Sequence, residues 1–371
     1  LRLLFFGTYD ARRHPRVEVL MEGFRSYGDE VVECNVPLDL DTAARVRLAK
    51  QPWRVPGFLA RLAVAWARLL VESRRVGRVD AVVVGYLGAF DVRLARLRWP
   101  RKVVVLDHLV SLSGTAADRA VGGGRVHALL AAADRGAAAA ADLVVVDTEE
   151  QRADVHGTPR GRRTGGSGDD GVVVVPVGAP SWWFPDAPRA LPPAPLRVVF
   201  FGLYTPLQGA PVIARAMAAL GEDAPVTLTM VGNGQDLPEV RQILRADRRV
   251  EWVDWLPPAL LAARVAEHHV CLGVFGTGPK ALRVVPNKVY QGAAAGCVVV
   301  TSDTPPQRAA LGDAAAYVPP GDPAALAAVL TALSNDPARV AALREAAYRR
   351  ANERFRAAAV VRPLRDRLAA R

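Results

Sequence analysis

The densest run of chemistry-bearing side chains in the 371-residue sequence is Lys280-Ala281-Leu282-Arg283-Val284-Val285-Pro286-Asn287-Lys288-Val289-Tyr290-Gln291. It leads into the small-residue run Gly292-Ala293-Ala294-Ala295-Gly296 and then the apolar strand Cys297 to Thr301. Pro286 suits the first turn of a helix, which brings free backbone N–H groups and the positive end of the helix dipole near Asn287 and Lys288. Lys280, Arg283 and Lys288 are then expected to converge on a diphosphate. Gln291 lies one helical turn beyond Lys288 on the same face, in position to hydrogen-bond ribose hydroxyls. A solvated basic turn would use the same residue types, but here two apolar strands flank the segment and pin it at a sheet edge.

Two glycine turns carry the same chemistry. Gly202-Leu203-Tyr204-Thr205-Pro206-Leu207-Gln208-Gly209 follows a strongly apolar strand, and its glycines allow close backbone approach to a phosphate. Val231-Gly232-Asn233-Gly234 is a second strand leaving into a glycine turn before a helix. Ser302-Asp303-Thr304-Pro305-Pro306 reads either as a ligand contact or as a plain N-cap.

The elements that must position these loops are legible as hydrophobic runs. Leu3 to Tyr9 reads as a buried parallel strand ending at Gly7, and Pro15 opens a helix with Val17, Leu20, Met21 and Phe24 on one face. Gly28 ends that helix. Further strands are expected at Val31–Val36, Ala81–Val84, Lys102–Leu106, Leu143–Val146 and Val172–Val177. A second unit begins at Leu196, where Val198-Val199-Phe200-Phe201-Gly202-Leu203-Tyr204 echoes the opening strand and turn. A helix from Pro211 follows, then strands at Thr227–Val231, Val250–Val253, Val270–Val274 and Val298–Thr301. Strands alternating with helices imply parallel sheets covered on both faces. The expected domains are residues 1–185 and 186–352, with a last helix over about 353–371 packing back on the first. Gly178 to Pro195 is the proline-rich linker, and Gly157 to Gly171 reads as a mobile loop.

Composition limits the alternatives. Hydrophobic residues make up 51% and charged residues 23%, which describes a globular chain and not a disordered one. The net charge of +11 favours acidic partners such as nucleotides, phosphorylated acceptors or an anionic membrane face, although an Arg-rich coding bias would give the same balance. Cys34, Cys271 and Cys297 sit in or beside apolar runs with no zinc spacing, so buried free thiols and a reducing cytoplasm are expected. No uninterrupted apolar run is long enough to span a bilayer, and the start of the sequence lacks a signal-peptide layout.

Taken together, these motifs resemble the retaining glycosyltransferases of family 4, which have the GT-B fold: two doubly wound, Rossmann-like parallel-sheet domains facing a central cleft. The glycine turn at Gly202, the Gly232-x-Gly234 turn, the small-residue helix before Gly296 and its strand, and Pro319-Pro320-Gly321-Asp322 with Ala325-Leu326 all follow the family's order. The resemblance implies a metal-independent transfer, with retention, from a nucleotide-diphosphate sugar to a hydroxyl acceptor. It implies no cofactor beyond the donor co-substrate. Donor contacts would come from Gly202, Tyr204, Gln208, Gly209, Gly232, Gly234, Lys280, Arg283, Pro286, Asn287, Lys288 and Gln291. Gly7, Thr8 and Tyr9 would approach the phosphate from the facing sheet edge. Asp107 and His108 stand where the family often places a His or Asp facing the reacting sugar, and they are the catalytic candidates for orienting a hydroxyl. A strand-end Asp capping the next turn is the plainer reading of Asp107, and His14 reads as a surface residue.

This chain departs from the family at the phosphate clamp. Where the family commonly has Arg after the first glycine and Lys before the next, it has Leu203 and Gln208. Where the family has two glutamates eight positions apart, it has Arg283 and Gln291. Positive charge is displaced onto Lys280, Arg283 and Lys288, which reads as a rearranged clamp. An inactive homologue, a non-catalytic sugar-nucleotide binder and a nucleotide-sugar epimerase on the same architecture are the competing readings. The acceptor is a glycan, a lipid-linked group or a small hydroxyl compound. Lys50 to Arg75 interleaves Trp53, Phe58, Trp66 and Leu69 with five arginines, which suits either a helix packed on the sheet or contact with the inner face of a membrane. Nucleic-acid binding is not expected, because no such module is recognisable.

Overall fold

The computed structural model describes residues 1–10, 15–38, 51–86, 88–109, 111–118, 123–153, 155 and 171–371. His14, Lys50 and residues 157–170 of the expected loop fall outside the described residues. The chain divides into two compact units, Leu1–Pro176 with Ala357–Arg371, and Val177–Arg356. The proline-rich segment after Gly178 therefore belongs to the second unit, and the last helix, Ala357–Ala369, belongs to the first.

The first unit holds a parallel sheet in the order β2-β1-β3-β4-β5-β6, built from β1 (Arg2–Gly7), β2 (Glu30–Asn35), β3 (Ala81–Val84), β4 (Val103–Asp107), β5 (Leu143–Val146) and β6 (Val172–Val174). Alternation along β1 divides the core into two. Leu3 and Phe5 join Val17, Leu20 and Phe24 of the helix Pro15–Ser26 and Val360 and Leu364 of the last helix, while Leu4 and Phe6 join Leu69, Val92 and Trp99 on the opposite face. This two-sided burial is why the strand reads as a continuous apolar run.

The second unit has the order β9-β8-β7-β10-β11-β12, with β7 (Leu196–Phe201), β8 (Val226–Val231), β9 (Val250–Val253), β10 (Val270–Leu272), β11 (Val298–Ser302) and β12 (Ala315–Val318). Chain order reverses between β7 and β10, which makes the carboxyl ends of these two strands the topological switch point of a doubly wound sheet. The small residues after Gln291 have a packing cause. A Cβ on Gly292 would come within 2.5 Å of Cys271 Sγ, so the helix Asn287–Ala294 lies directly against the sheet. β12 was not expected from sequence. Its residues, Ala315-Ala316-Tyr317-Val318, are half alanine, and its strand character comes from pairing with β11.

No helix among the described residues is long and apolar enough to cross a membrane. All three cysteines are free and buried.

Candidate functional site

In the second unit the loops after β7, β8 and β10 interlock at the carboxyl edge of the sheet. Gly202 N–H donates to Val231 C=O at 3.0 Å, Tyr204 N–H to Asn233 C=O at 3.1 Å, and Phe275 N–H to Gln208 C=O at 3.1 Å. The requirement for glycine at 232 arises here. Its φ is +118°, and a Cβ would stand 2.0 Å from Gly202 O. Gly209 and Gly234 likewise abut Phe275 and Tyr204 of neighbouring loops. Gly209, Gly232 and Gly234 thus make room for the backbone of neighbouring loops. Gly202 differs. It is exposed at φ +127°, and its Cβ position would face only Lys288 Cε and Nζ, at 3.6 Å.

Lys288 is the focus of this edge. Pro286 occupies the cap position with extended backbone, one residue before the helix expected to contain it, and the helix begins at Asn287. Lys288 is 4% exposed, and its ammonium sits 3.6 Å from the centroid of the Phe200 ring. Nζ is buried with no hydrogen-bond partner. Burial pushes its pKa down from 10.5 to about 7, with slight opposition from Cys271. Tyr204 Oη, Gln208 Oε1, Thr304 Oγ1 and Gln307 Oε1 are also buried without partners, and all follow the carboxyl ends of β7 or β11. Among the described residues of this unit the one other such atom is Trp183 Nε1. Each orphaned polar group costs on the order of 1–3 kcal/mol until a partner meets it.

The expected triad of cations is only partly assembled. Lys280 is half-buried and Arg283 exposed, in a turn where Arg283 N–H donates to Lys280 C=O at 3.1 Å. That turn is tied to the first loop by a small apolar cluster of Leu207, Val274, Ala281 and Val284. Asn287 is half-buried at the helix start and Gln291 is buried on the helix.

In the first unit the side chains expected near a phosphate have internal partners. Thr8 donates through both N–H (2.7 Å) and Oγ1 (2.8 Å) to Asp91 Oδ2, and Trp66 Nε1 donates to Asp91 Oδ1 at 2.8 Å. Burial raises the Asp91 pKa despite these donors from Trp66 and Thr8. A Cβ on Gly7 would approach the same carboxylate at 2.9 Å. Tyr9 donates to Glu33 Oε1 at 2.9 Å, and its ring fills the space beside Gly85 at the end of β3. Burial, reinforced by Glu33, pushes its phenol pKa up.

Asp107 is enclosed by its surroundings. Only 3% exposed, it accepts from Arg16 Nε at 2.7 Å, in an ion pair whose side chains are 1% and 0% exposed. A carboxylate held this way ties elements together inside the unit, where it was expected to face a hydroxyl. His108 is half-buried beyond it, with its N–H donating to Val145 C=O at 2.8 Å. Arg16 and Asp91 are the functional-looking residues that sequence reasoning missed.

Residues 195–336 match the sequence family described as Glycosyl transferases group 1, a segment that takes in all four candidate loops. The chain also matches solved structures over its full length. Sucrose-phosphate synthase from Thermosynechococcus elongatus superposes with a TM-score of 0.72 at 16% identity, covering 100% of this chain and 99% of that one. HepE from Anabaena, in complex with UDP and glucose, gives 0.69 at 15% identity over 100% of both chains. A glycosyltransferase from Rickettsia africae gives 0.61 at 11%, over 100% and 97%. No curated protein sequence matches the chain. The fold is the GT-B architecture, and within it residues 195–336 resemble a glycosyltransferase domain.

Proposed function

We propose that this chain is a glycosyltransferase that moves a sugar from a nucleotide-diphosphate donor to a hydroxyl acceptor, with retention, without a metal ion and in the manner of family 4. The observation that carries the donor assignment is the buried Lys288 ammonium, without a partner, beside the exposed turn at Gly202. A diphosphate held there would supply the missing partner, and Lys288 with the N-terminus of the helix Asn287–Ala294 would stabilise charge on the leaving group. Asn287, Gln208, Tyr204 and Gln291 stand around the same edge as further donor contacts, with Lys280 and Arg283 at its rim. The solved HepE complex with UDP and glucose supports a nucleotide-sugar donor for a protein of this fold. Retention and metal independence rest on the family resemblance.

The first test is thermal stabilisation by UDP-, GDP-, ADP- and dTDP-sugars, since a ligand that binds the native state raises the melting temperature by mass action. One nucleotide series is expected to stabilise, and EDTA to leave that effect intact. Nucleotide diphosphate release should then accelerate when the acceptor is added, and NMR of the product should give the donor's anomeric configuration. No stabilisation by any of the four removes the donor site. Binding without acceptor-dependent release leaves a non-catalytic binder, sugar inversion at a ring carbon an epimerase, and an inverted anomeric product overturns retention.

A second part of the proposal concerns location. The helix Val55–Glu72 turns Leu62, Ala65 and Leu69 inward and leaves Leu59 and Val64 exposed, with Trp53 before it 73% exposed. Trp66 packs against the apolar core and also donates to Asp91. Arg54, Arg61, Arg68, Arg74 and Arg75 are all exposed around this surface. We infer a protein of the cytoplasm that touches the inner face of an anionic membrane through this helix, where a lipid-linked acceptor would be available. The protein should co-sediment with phosphatidylglycerol vesicles and not with phosphatidylcholine vesicles, and Trp53→Ser with Leu59→Ser should weaken this. Equal sedimentation with both lipids, or none, rejects the membrane contact.

A further inference from the structure

The second unit carries another polar cavity, at the opposite edge of its sheet from the candidate donor loops. Its volume is about 290 Å³, and it is lined by the first halves of β7, β8 and β9 together with Arg248, Arg249, Arg264, Glu267 and His268. Strand alternation explains why the lining is polar. Leu196, Val198, Val226, Leu228 and Val250 point to the main core, which turns Arg197, Thr227, Thr229 and Glu251 to the other face. In a sheet covered on both faces such a row is expected to be apolar.

Charge in this cavity is unevenly paired. Arg264 binds both carboxylates of the lining, Glu251 and Glu267, the latter at 3.0 Å. Glu267 also pairs with Arg189 at 3.1 Å. Arg249 is paired with Asp247 at 2.7 Å and donates to the carbonyls of Gly221 and Met217. His268 is held between Arg264 O at 2.8 Å and Thr229 Oγ1 at 2.9 Å. Burial, with smaller contributions from Arg264 and Arg197, lowers its pKa to about 4, so it is neutral at pH 7. The side chains of Arg197, half-buried, and Arg248 make no hydrogen bond or ion pair among the described residues. Two guanidinium groups without an ion pair thus line one cavity, together with Thr227, while its carboxylates Glu251 and Glu267 are engaged by Arg264. Guanidinium forks match phosphate oxygens in geometry as well as in charge.

We propose that this cavity is a second anion site, one that binds the phosphate group of a small phosphate ester through Arg197 and Arg248. It stands apart from the donor loops and does not depend on their assignment. The probe is inorganic phosphate, titrated into the full-length protein against sodium chloride at matched ionic strength, with melting temperature and calorimetry as readouts. Phosphate is expected to stabilise the wild-type protein beyond the chloride control. Arg197→Gln with Arg248→Gln should weaken that binding about tenfold or more, the expected loss when charge-assisted contacts are removed. Arg248→Gln alone, a change at an exposed position, should weaken it by a smaller factor and guards against a folding defect in the double variant. In a Lys288→Met background, which removes the donor-loop cation, phosphate should still bind and the two glutamine substitutions should still weaken it. The proposal is overturned if phosphate does no more than chloride, if binding in that background survives both glutamine substitutions, or if Lys288→Met alone abolishes it, which would place the phosphate on the donor loops.

Discussion

Lys288→Met is expected to lose nucleotide-diphosphate affinity while raising the melting temperature of the unliganded protein. The two effects have one cause. The Lys288 ammonium lies over the Phe200 ring, 4% exposed and without a hydrogen-bond partner, so the native state bears the cost of a desolvated cation until an anion reaches it. Methionine keeps the apolar stem packed on Phe200 and deletes the charge. Removing a charge-assisted contact to the diphosphate should weaken binding by about 1–3 kcal/mol, roughly 5- to 150-fold. A lysine that merely braced the fold would give the reverse stability change. Lower affinity with a lower melting temperature would therefore make the site structural, and unchanged affinity would remove Lys288 from it.

The same residue sets a pH signature. Its pKa is lowered from 10.5 to about 7 in the folded chain. Between those values the unfolded chain holds a proton that the native chain does not, so this residue makes stability rise with pH from about 7 towards 10. Below pH 7 the buried ammonium is charged in both states, and its full desolvation cost falls on the native one. Lys288→Met should flatten that slope. Diphosphate binding supplies an opposite charge and returns the pKa upward, so binding at pH 8 should be accompanied by uptake approaching a single proton per site. Calorimetry in buffers of differing ionisation enthalpy measures this directly, and buffer-independent enthalpy at pH 8 would contradict it.

How much of this was legible depends on the range of each interaction. The apolar strands and their glycine exits were readable because burial on both faces of a parallel sheet makes continuous runs such as Val198 to Phe201. β12 escaped because alanine says little about strand or helix. The glycines at 232 and 234 were legible as turns, but their cause was not. They make room for backbone from other loops, whereas phosphate approach was the expected reason. Lys288 was recognisable as a cation near a helix start, yet its burial over Phe200 depends on a strand far back in the chain. Asp91 and Arg16 were invisible for the same reason. Their partners Thr8 and Asp107 lie 83 and 91 residues away, and no local pattern announces such a pair.

That last pair carries the second large expected effect. Arg16 Nε meets Asp107 Oδ1 at 2.7 Å, and Arg16 Nη1 donates to the carbonyls of Val175 and Pro176 at 3.0 Å each. One guanidinium thereby ties the start of the helix Pro15–Ser26 to the end of β4 and to the segment after β6. Arg16 Nη2 and Asp107 Oδ2 are buried without partners, so the pair is not fully satisfied. Removing one member strands a buried charge, and Arg16→Met or Asp107→Leu alone should destabilise the protein by about 3–5 kcal/mol. Replacing both removes the stranded charge, and Arg16→Met with Asp107→Leu should recover most of the loss in a double-mutant cycle. Turnover by the folded double variant then decides what Asp107 does. An anchor can be exchanged for packed apolar groups with transfer retained, and that is the expected result. If the double variant is stable, binds the nucleotide diphosphate normally and transfers no sugar, Asp107 takes part in the reaction, and its burial in the unliganded chain must be relieved when substrates bind.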